Sequence, residues 1–66
     1  MSLAKVIQLS FYSTTSFDDA VKSGVAKASE TAKGITGAWI NDMKVFVADG
    51  AVTEYRVNMK VGFVVG

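Results

Sequence analysis

The sequence predicts an α+β fold in which one helix packs on a three-stranded antiparallel sheet, in the order β-α-β-β. Residues 53–65 alternate between apolar and polar side chains, which is the period of a strand with one buried face. Residues 17–33 instead repeat small apolar side chains at helical spacing. Asp49–Gly50 is a turn signal, so the strand pattern at 35–48 is expected to form a hairpin with the strand that follows. We expect residues 1–66 to form a single domain.

The first strand is expected over residues 4–12, because the side chains there also alternate. One side of this strand carries Ile7, Leu9 and Phe11, and the other side carries Val6, Gln8 and Ser10. The last strand is expected to turn its apolar parity towards the helix, with Tyr55, Val57, Met59, Val61 and Phe63.

The helix is expected to begin after Ser16, a good N-cap residue, with Asp19 completing a variant of the capping box. Its end is expected at Lys33, with Gly34 as the C′ residue in the left-handed conformation. The helix stripe that faces the sheet is made mainly of small residues: Phe17, Ala20, Val21, Gly24, Val25, Ala28 and Ala32. Such a stripe lets a helix lie close to a sheet, and we expect Gly24 and Gly62 to mark close packing.

The strand pattern at 35–48 changes parity midway. One frame holds Ala38 and Ile40, and the other holds Met43, Val45 and Val47. A β-bulge near Asn41–Asp42 would return both sets to one face, so that Ile40 and Met43 both face the helix. The opposite sheet face has no second helix to cover it, and meets either water or copies of the chain. It carries Gly37, Trp39, Arg56, Asn58 and Lys60.

Composition argues against several classes of protein. With neither His nor Cys, the chain has no disulfide and no thiolate or imidazole metal site, and no carboxylate pair suggests acid–base chemistry, so an enzyme is not expected. Seven basic and six acidic residues give a net charge of +1 without a basic run, which does not favour nucleic-acid binding. No apolar stretch approaches the ~20 residues of a membrane span and no signal peptide is evident, so we expect a cytoplasmic protein. Half of the residues are hydrophobic, more than so small a domain hides easily, and self-association is expected.

Three segments together are typical of one family: KVIQL, TSFDDAVKSGVAKASET and DGAVTEYRVNMKVGF. In their order, spacing and length they resemble the dodecins, and the similarity runs without a gap from Lys5 to about Val64. The resemblance implies a protomer whose sheet curls around its helix, and a hollow homododecameric shell. It also implies binding of flavins such as FMN or riboflavin at subunit interfaces, for storage and without enzymatic turnover.

The resemblance further implies a ligand pocket that involves Gly37, Trp39, Arg56 and Asn58. The flavin-stacking tryptophan of dodecins corresponds to Gly37, and the glutamine that hydrogen-bonds the flavin ring corresponds to Arg56. A basic residue common in dodecins is replaced by Val64. Glycine offers no aromatic face and arginine has donors only, so the first two substitutions count against flavin binding.

Two of these residues allow more than one interpretation. Trp39 shares the face of Gly37, and either stacks on a ligand from a shifted position or anchors an interface. Arg56 is either a ligand contact or an ion-pair partner, for example of Glu54 or Asp42 in a neighbouring copy. The alternative function is therefore a cation-binding or purely structural assembly, which resembles a non-flavin branch of the family. The oxygen ligands for a divalent cation such as calcium would come from four acidic residues: Asp42, Asp49, Glu54 and Glu30. These residues do not have a recognised loop spacing, and the other interpretation is that they form a solvated surface.

Overall fold

The structure is a computed structural model that describes residues 3–65. It contains four elements: β1 is Leu3–Ser13, α1 is Phe17–Thr31, β2 is Ile35–Ala48 and β3 is Ala51–Val65. The strands form one antiparallel sheet in the order β1-β3-β2. The predicted α+β fold and its β-α-β-β order are therefore confirmed.

The core lies between α1 and the strands β1 and β3. Val57, Met59 and Val61 are fully buried, because β3 is the central strand and α1 lies over the face that carries them. The predicted apolar side of β1 packs beside this cluster, with Ile7, Leu9 and Phe11. The alternation read from the sequence therefore assigns the correct side chains of β1 to the core, and three of the five expected on β3. Tyr55 and Phe63 are half-buried and lie outside the core cluster, although Tyr55 meets the ring of Phe17 edge-on.

Small residues bring α1 close to the sheet, as predicted. Ala20 and Ala28 are buried on the side of the helix that faces the strands. Gly24 is buried against the ring of Phe11, and a Cβ atom on Gly24 would stand only 2.3 Å from Phe11 Cδ2. The expected close packing at Gly24 is confirmed, and the missing side chain provides the space for the phenyl ring.

The start of α1 is organised around Ser13, which is buried at the end of β1. Ser16 is the N-cap as predicted, and its hydroxyl accepts a hydrogen bond from the Asp19 backbone N–H at 3.0 Å. The Asp19 carboxylate does not bond back to the N-cap backbone, as a capping box requires, but accepts from the Ser13 hydroxyl at 2.6 Å. Ser13 Oγ in turn accepts from the backbone N–H groups of Thr15 and Ser16, at 2.9 and 3.4 Å. Ser13 thus stands between the Asp19 carboxylate and the N-cap backbone, which a capping box joins directly, because β1 ends beside the first turn of the helix.

The end of α1 differs from the prediction by two residues. Thr31 is the last helical residue, and Ala32 is an extended C-cap rather than part of the helix stripe. Gly34 has the predicted left-handed conformation, with φ +76°, but it lies two residues beyond the C-cap and is not C′. Its carbonyl accepts a hydrogen bond from the Val64 N–H at 3.2 Å, so the helix ends where the chain begins to bond to β3.

Among residues 3–65, no helix is long and apolar enough to cross a membrane.

β2 contains the predicted bulge, but α1 does not cover this strand. The register with β3 shifts between Ile40 and Asp42, which leaves Asn41 as the extra residue. Ile40 and Met43 therefore share the face of the core, as the change of parity indicates. They remain 42% and 51% exposed, because α1 packs over β1 and β3. The expectation that the helix packs against both side chains is wrong. On the inner face of the sheet, which is the face that carries α1, Ile40 and Met43 form an open apolar strip along β2.

The β2–β3 connection is the predicted tight turn. Asp49 and Gly50 both have positive φ, +52° and +77°, as the two central residues of a type I′ hairpin turn require. The hairpin extends past the end of β1, since Ser13 pairs with Tyr55, and Ala51, Val52 and Glu54 pair with β2 alone.

Candidate functional site

The residues predicted for the ligand pocket all lie on the outer face, which we define as the sheet face turned away from α1. Successive cross-strand rows on one face are about 7 Å apart. Four consecutive rows join β2 to β3: Gly37–Gly62, Trp39–Lys60, Asp42–Asn58 and Lys44–Arg56. The sheet therefore brings the predicted residues onto one surface. Gly37 and Trp39 lie in the first two rows, and Asn58 and Arg56 lie in the last two.

Trp39 lies against the backbone of Gly62. Its Cζ3 and Cη2 atoms are 3.0 and 3.3 Å from the position that a Cβ on Gly62 would take, so a side chain there would push the indole away from the sheet. This confirms close packing at Gly62. Trp39 is nevertheless 58% exposed, although it is the only tryptophan in the chain. Apart from Gly37 itself and its two chain neighbours, no atom of residues 3–65 lies within 4 Å of the Cβ position of Gly37. The outer face thus has free room beside an exposed aromatic ring.

An open groove of about 430 Å³ runs beside this ring. It is lined by Val6 from β1, Trp39 and Asn41 from β2, and Lys60 from β3. Its volume falls within the range of small-molecule sites, and its lining combines apolar, aromatic, amide and ammonium groups. Lys60 was predicted on the face of Trp39 but not in the pocket, and neither Val6 nor Asn41 was predicted there. Val6 lies near the tryptophan through the pairing of β1 with β3, and Asn41 is the extra residue of the bulge.

Arg56 is held within its own chain. Its Nε and Nη2 atoms donate to Glu54 Oε2 at 3.0 and 2.8 Å. The guanidinium carbon also lies 5.5 Å from the centroid of the Tyr12 ring and 5.3 Å from that of Phe46, within the range of cation–π attraction. Glu54 is thus the partner that the ion-pair interpretation proposed, but the pair forms inside one copy. These contacts position the guanidinium and leave it fewer donors for a ligand.

The acidic residues considered as cation ligands are dispersed or already engaged. Asn58 donates from Nδ2 to Asp42 Oδ1 at 2.5 Å, and Glu54 is bound by Arg56. Asp49 stands in the hairpin turn. Within residues 3–65, no group of three or more acids is close enough to hold a metal ion. Calcium takes 6–8 oxygen ligands in typical protein sites, from carboxylates, carbonyl groups and waters.

The fold and the groove together define a small α+β protein whose outer sheet face is open. The family model Dodecin matches residues 3–66, and the chain therefore belongs to the dodecin family. A search of curated proteins finds no match.

Solved structures show the same fold. A dodecin from Streptomyces davaonensis is 25% identical, with a TM-score of 0.93 over 98% of this chain and 96% of that one. A mutant of the Thermus thermophilus dodecin, at 21% identity, has a TM-score of 0.92 over 100% of this chain and 98% of that one, a likeness of fold alone. A calcium dodecin from Mycobacterium tuberculosis is 27% identical, with a TM-score of 0.81 over 92% of this chain and 87% of that one. That protein is described as a calcium-chelating antigen with a novel calcium-binding site.

Proposed function

We propose that the protein is a non-enzymatic dodecin that binds or stores a small ligand in a hollow, cytoplasmic homododecamer. The observation that carries the proposal is the outer face, where a groove of about 430 Å³ lies beside exposed Trp39. No element among residues 3–65 covers that face. The apolar strip on the inner face of β2 supports assembly, since Ile40 and Met43 gain burial only from another copy.

Flavin is not the ligand that this face favours. Gly37 supplies no aromatic ring where the flavin-stacking tryptophan of dodecins stands. Arg56 offers only donors in place of the glutamine, and Glu54 already binds it through two hydrogen bonds. Trp39 lies one row further along the sheet, so a ring stacked on its indole would be displaced from the flavin position.

Calcium is the second candidate, favoured by the similarity to a calcium dodecin. Because the acids of one copy do not cluster within residues 3–65, the ligands would have to come from more than one copy. Asp42 and Asp49 are exposed carboxylates that a neighbouring copy could approach.

Light scattering coupled to size-exclusion chromatography tests the assembly. We expect a mass of roughly twelve times the 7.0 kDa chain, as closed symmetric homo-oligomers have fixed subunit numbers. A stable monomer at micromolar concentration would contradict the proposed shell. The purified protein should be colourless, and elemental analysis for calcium in stoichiometric amount separates the second candidate from the first.

A riboflavin titration tests the assignment of the pocket. Wild type is expected to quench riboflavin fluorescence little or not at all. Gly37→Trp restores a stacking face, which contributes about 0.5–1.5 kcal/mol beyond area burial. Combined with Arg56→Gln, which restores an acceptor, its effect should exceed the sum of the single changes because both act on one pocket. Adding Trp39→Glu, with the acid that dodecins often carry there, removes an indole that competes for the space. Micromolar flavin binding by wild type would overturn this assignment.

A further inference from the structure

We infer that the groove beside Trp39 binds a flat aromatic ring that carries a negative charge directly on the ring, as an aromatic carboxylate does. The ring stacks on the indole, and the anionic group meets the ammonium group of Lys60. The inference rests on the proposed function, because it names the ligand class of the same outer face.

The aromatic half of the site is Trp39. Its indole is supported by the backbone of Gly62 and flanked by the free space at Gly37. Both neighbouring positions lack a side chain, so no group from that row competes for the surface of the ring. An exposed indole favours offset stacking with another aromatic ring, and Val6 adds an apolar wall across the groove.

The charged half of the site is Lys60, the direct cross-strand partner of Trp39. Its partner on the other side is Gln8, which is neutral. Lys60 takes part in neither of the two ion pairs that residues 3–65 form. The acid in the next row, Asp42, already accepts a hydrogen bond from Asn58. The Lys60 ammonium therefore has donors for an anion in the groove.

The spacing of these two residues limits the ligand. Cross-strand side chains start about 5 Å apart, so the ring and its anionic group must lie within about one ring width of each other. A carboxylate bonded to the ring meets this condition as it stands, whereas a phosphate on a long flexible chain would meet it only by ordering that chain, which weakens binding. Arg56 is not the anion anchor, because it lies two rows from Lys60 and is bound by Glu54.

The probe pair 2-naphthoate and 2-naphthamide tests the inference, since the two molecules share a ring system and differ in charge. Isothermal titration calorimetry at low salt gives both dissociation constants. The indole N–H resonance of the sole tryptophan locates the binding, because its chemical shift changes when a ring stacks on Trp39. We expect naphthoate to bind about two- to fivefold more tightly than naphthamide, which is the range expected for an exposed charge pair. Equal affinities, or no binding of naphthoate, would overturn the inference.

Substitutions test which residue supplies the charged half of the site and which supplies the aromatic half. Lys60→Met keeps the aliphatic stem and should abolish the preference for naphthoate, whereas Lys60→Arg should retain it. Lys44→Met removes the same charge from the outer face two rows away and should leave the preference intact. Trp39→Leu should weaken both probes, as measured by calorimetry. A loss of preference in Lys44→Met or Arg56→Gln equal to that in Lys60→Met would refute the role of Lys60.

Light scattering on every protein keeps this inference separate from the proposed function. A homododecamer that binds neither probe overturns the inference and leaves the shell intact. A smaller species that still prefers naphthoate supports the groove and contradicts the shell.

Discussion

Replacing Gly24 with alanine should destabilise the protein, although alanine favours helices. The added Cβ atom would stand 2.3, 2.5 and 2.9 Å from Phe11 Cδ2, Cγ and Cε2. Carbon atoms in good contact are about 3.5–4.0 Å apart, so the ring or the helix has to move by more than about 1 Å. Phe11 packs against the core cluster, and its ring cannot move without disturbing that packing.

The expected size follows from two opposing terms. Overpacking of a well-packed core lowers stability by about 1–3 kcal/mol. Alanine in place of glycine inside a helix raises it by about 1 kcal/mol. Because the overlap involves three atoms of a ring and not the tip of a flexible side chain, we take the upper part of the overpacking range. The net loss should be about 1–2 kcal/mol.

Urea unfolding at one fixed protein concentration measures this loss, since the stability of an oligomer depends on concentration. Gly37→Ala is the matched control. Apart from its two chain neighbours, no described residue has an atom within 4 Å of the added methyl group, so the stability of this variant should be unchanged or slightly raised. Phe11→Leu combined with Gly24→Ala should recover part of the loss as a measurable coupling energy. A Gly24→Ala variant more stable than wild type would refute the reasoning.

Three further substitutions test other contacts. Ile40→Asp or Met43→Asp should leave the protomer folded by circular dichroism but lower the mass seen by light scattering, because both side chains are exposed in one copy; global unfolding would contradict this. Ser13→Ala leaves two backbone donors and a carboxylate without their partner and should lower the unfolding free energy by about 1–3 kcal/mol, more than the ~1 kcal/mol expected for Ser16→Ala. Asp49→Ala should lower the thermal midpoint, since φ +52° disfavours alanine; an unchanged midpoint would show that the turn tolerates it.

The candidate site was predictable in part. Parity alone grouped Gly37, Trp39, Arg56 and Asn58 on one sheet face, because alternate residues of a strand point to the same side. Parity also placed Lys60 on this face, but parity does not show that Lys60 and Val6 are the neighbours of Trp39 in the groove. They come from different strands, and their distance from Trp39 depends on the pairing register of segments far apart in the sequence.

The sequence by itself determined the elements whose signals are local. The N-cap at Ser16, the turn at Asp49–Gly50 and the bulge at Asn41 each depend on a few adjacent residues, and each is present. The order of the elements follows from the same signals. Local backbone preferences and the period of the side chains are properties of a short segment, and tertiary packing left them unchanged at these three places. At the end of α1 it did not, because Gly34 bonds to β3 and the helix ends two residues early.

Only the tertiary structure decided which surfaces are covered. Ile40 has the parity of a core residue but remains exposed, because α1 lies over β1 and β3. Arg56 meets Glu54 and two aromatic rings, and Trp39 lies on Gly62, through strand pairing and side-chain conformation. Periodicity reports the side to which a residue points. What lies on that side depends on where distant segments pack, and no local pattern contains that information.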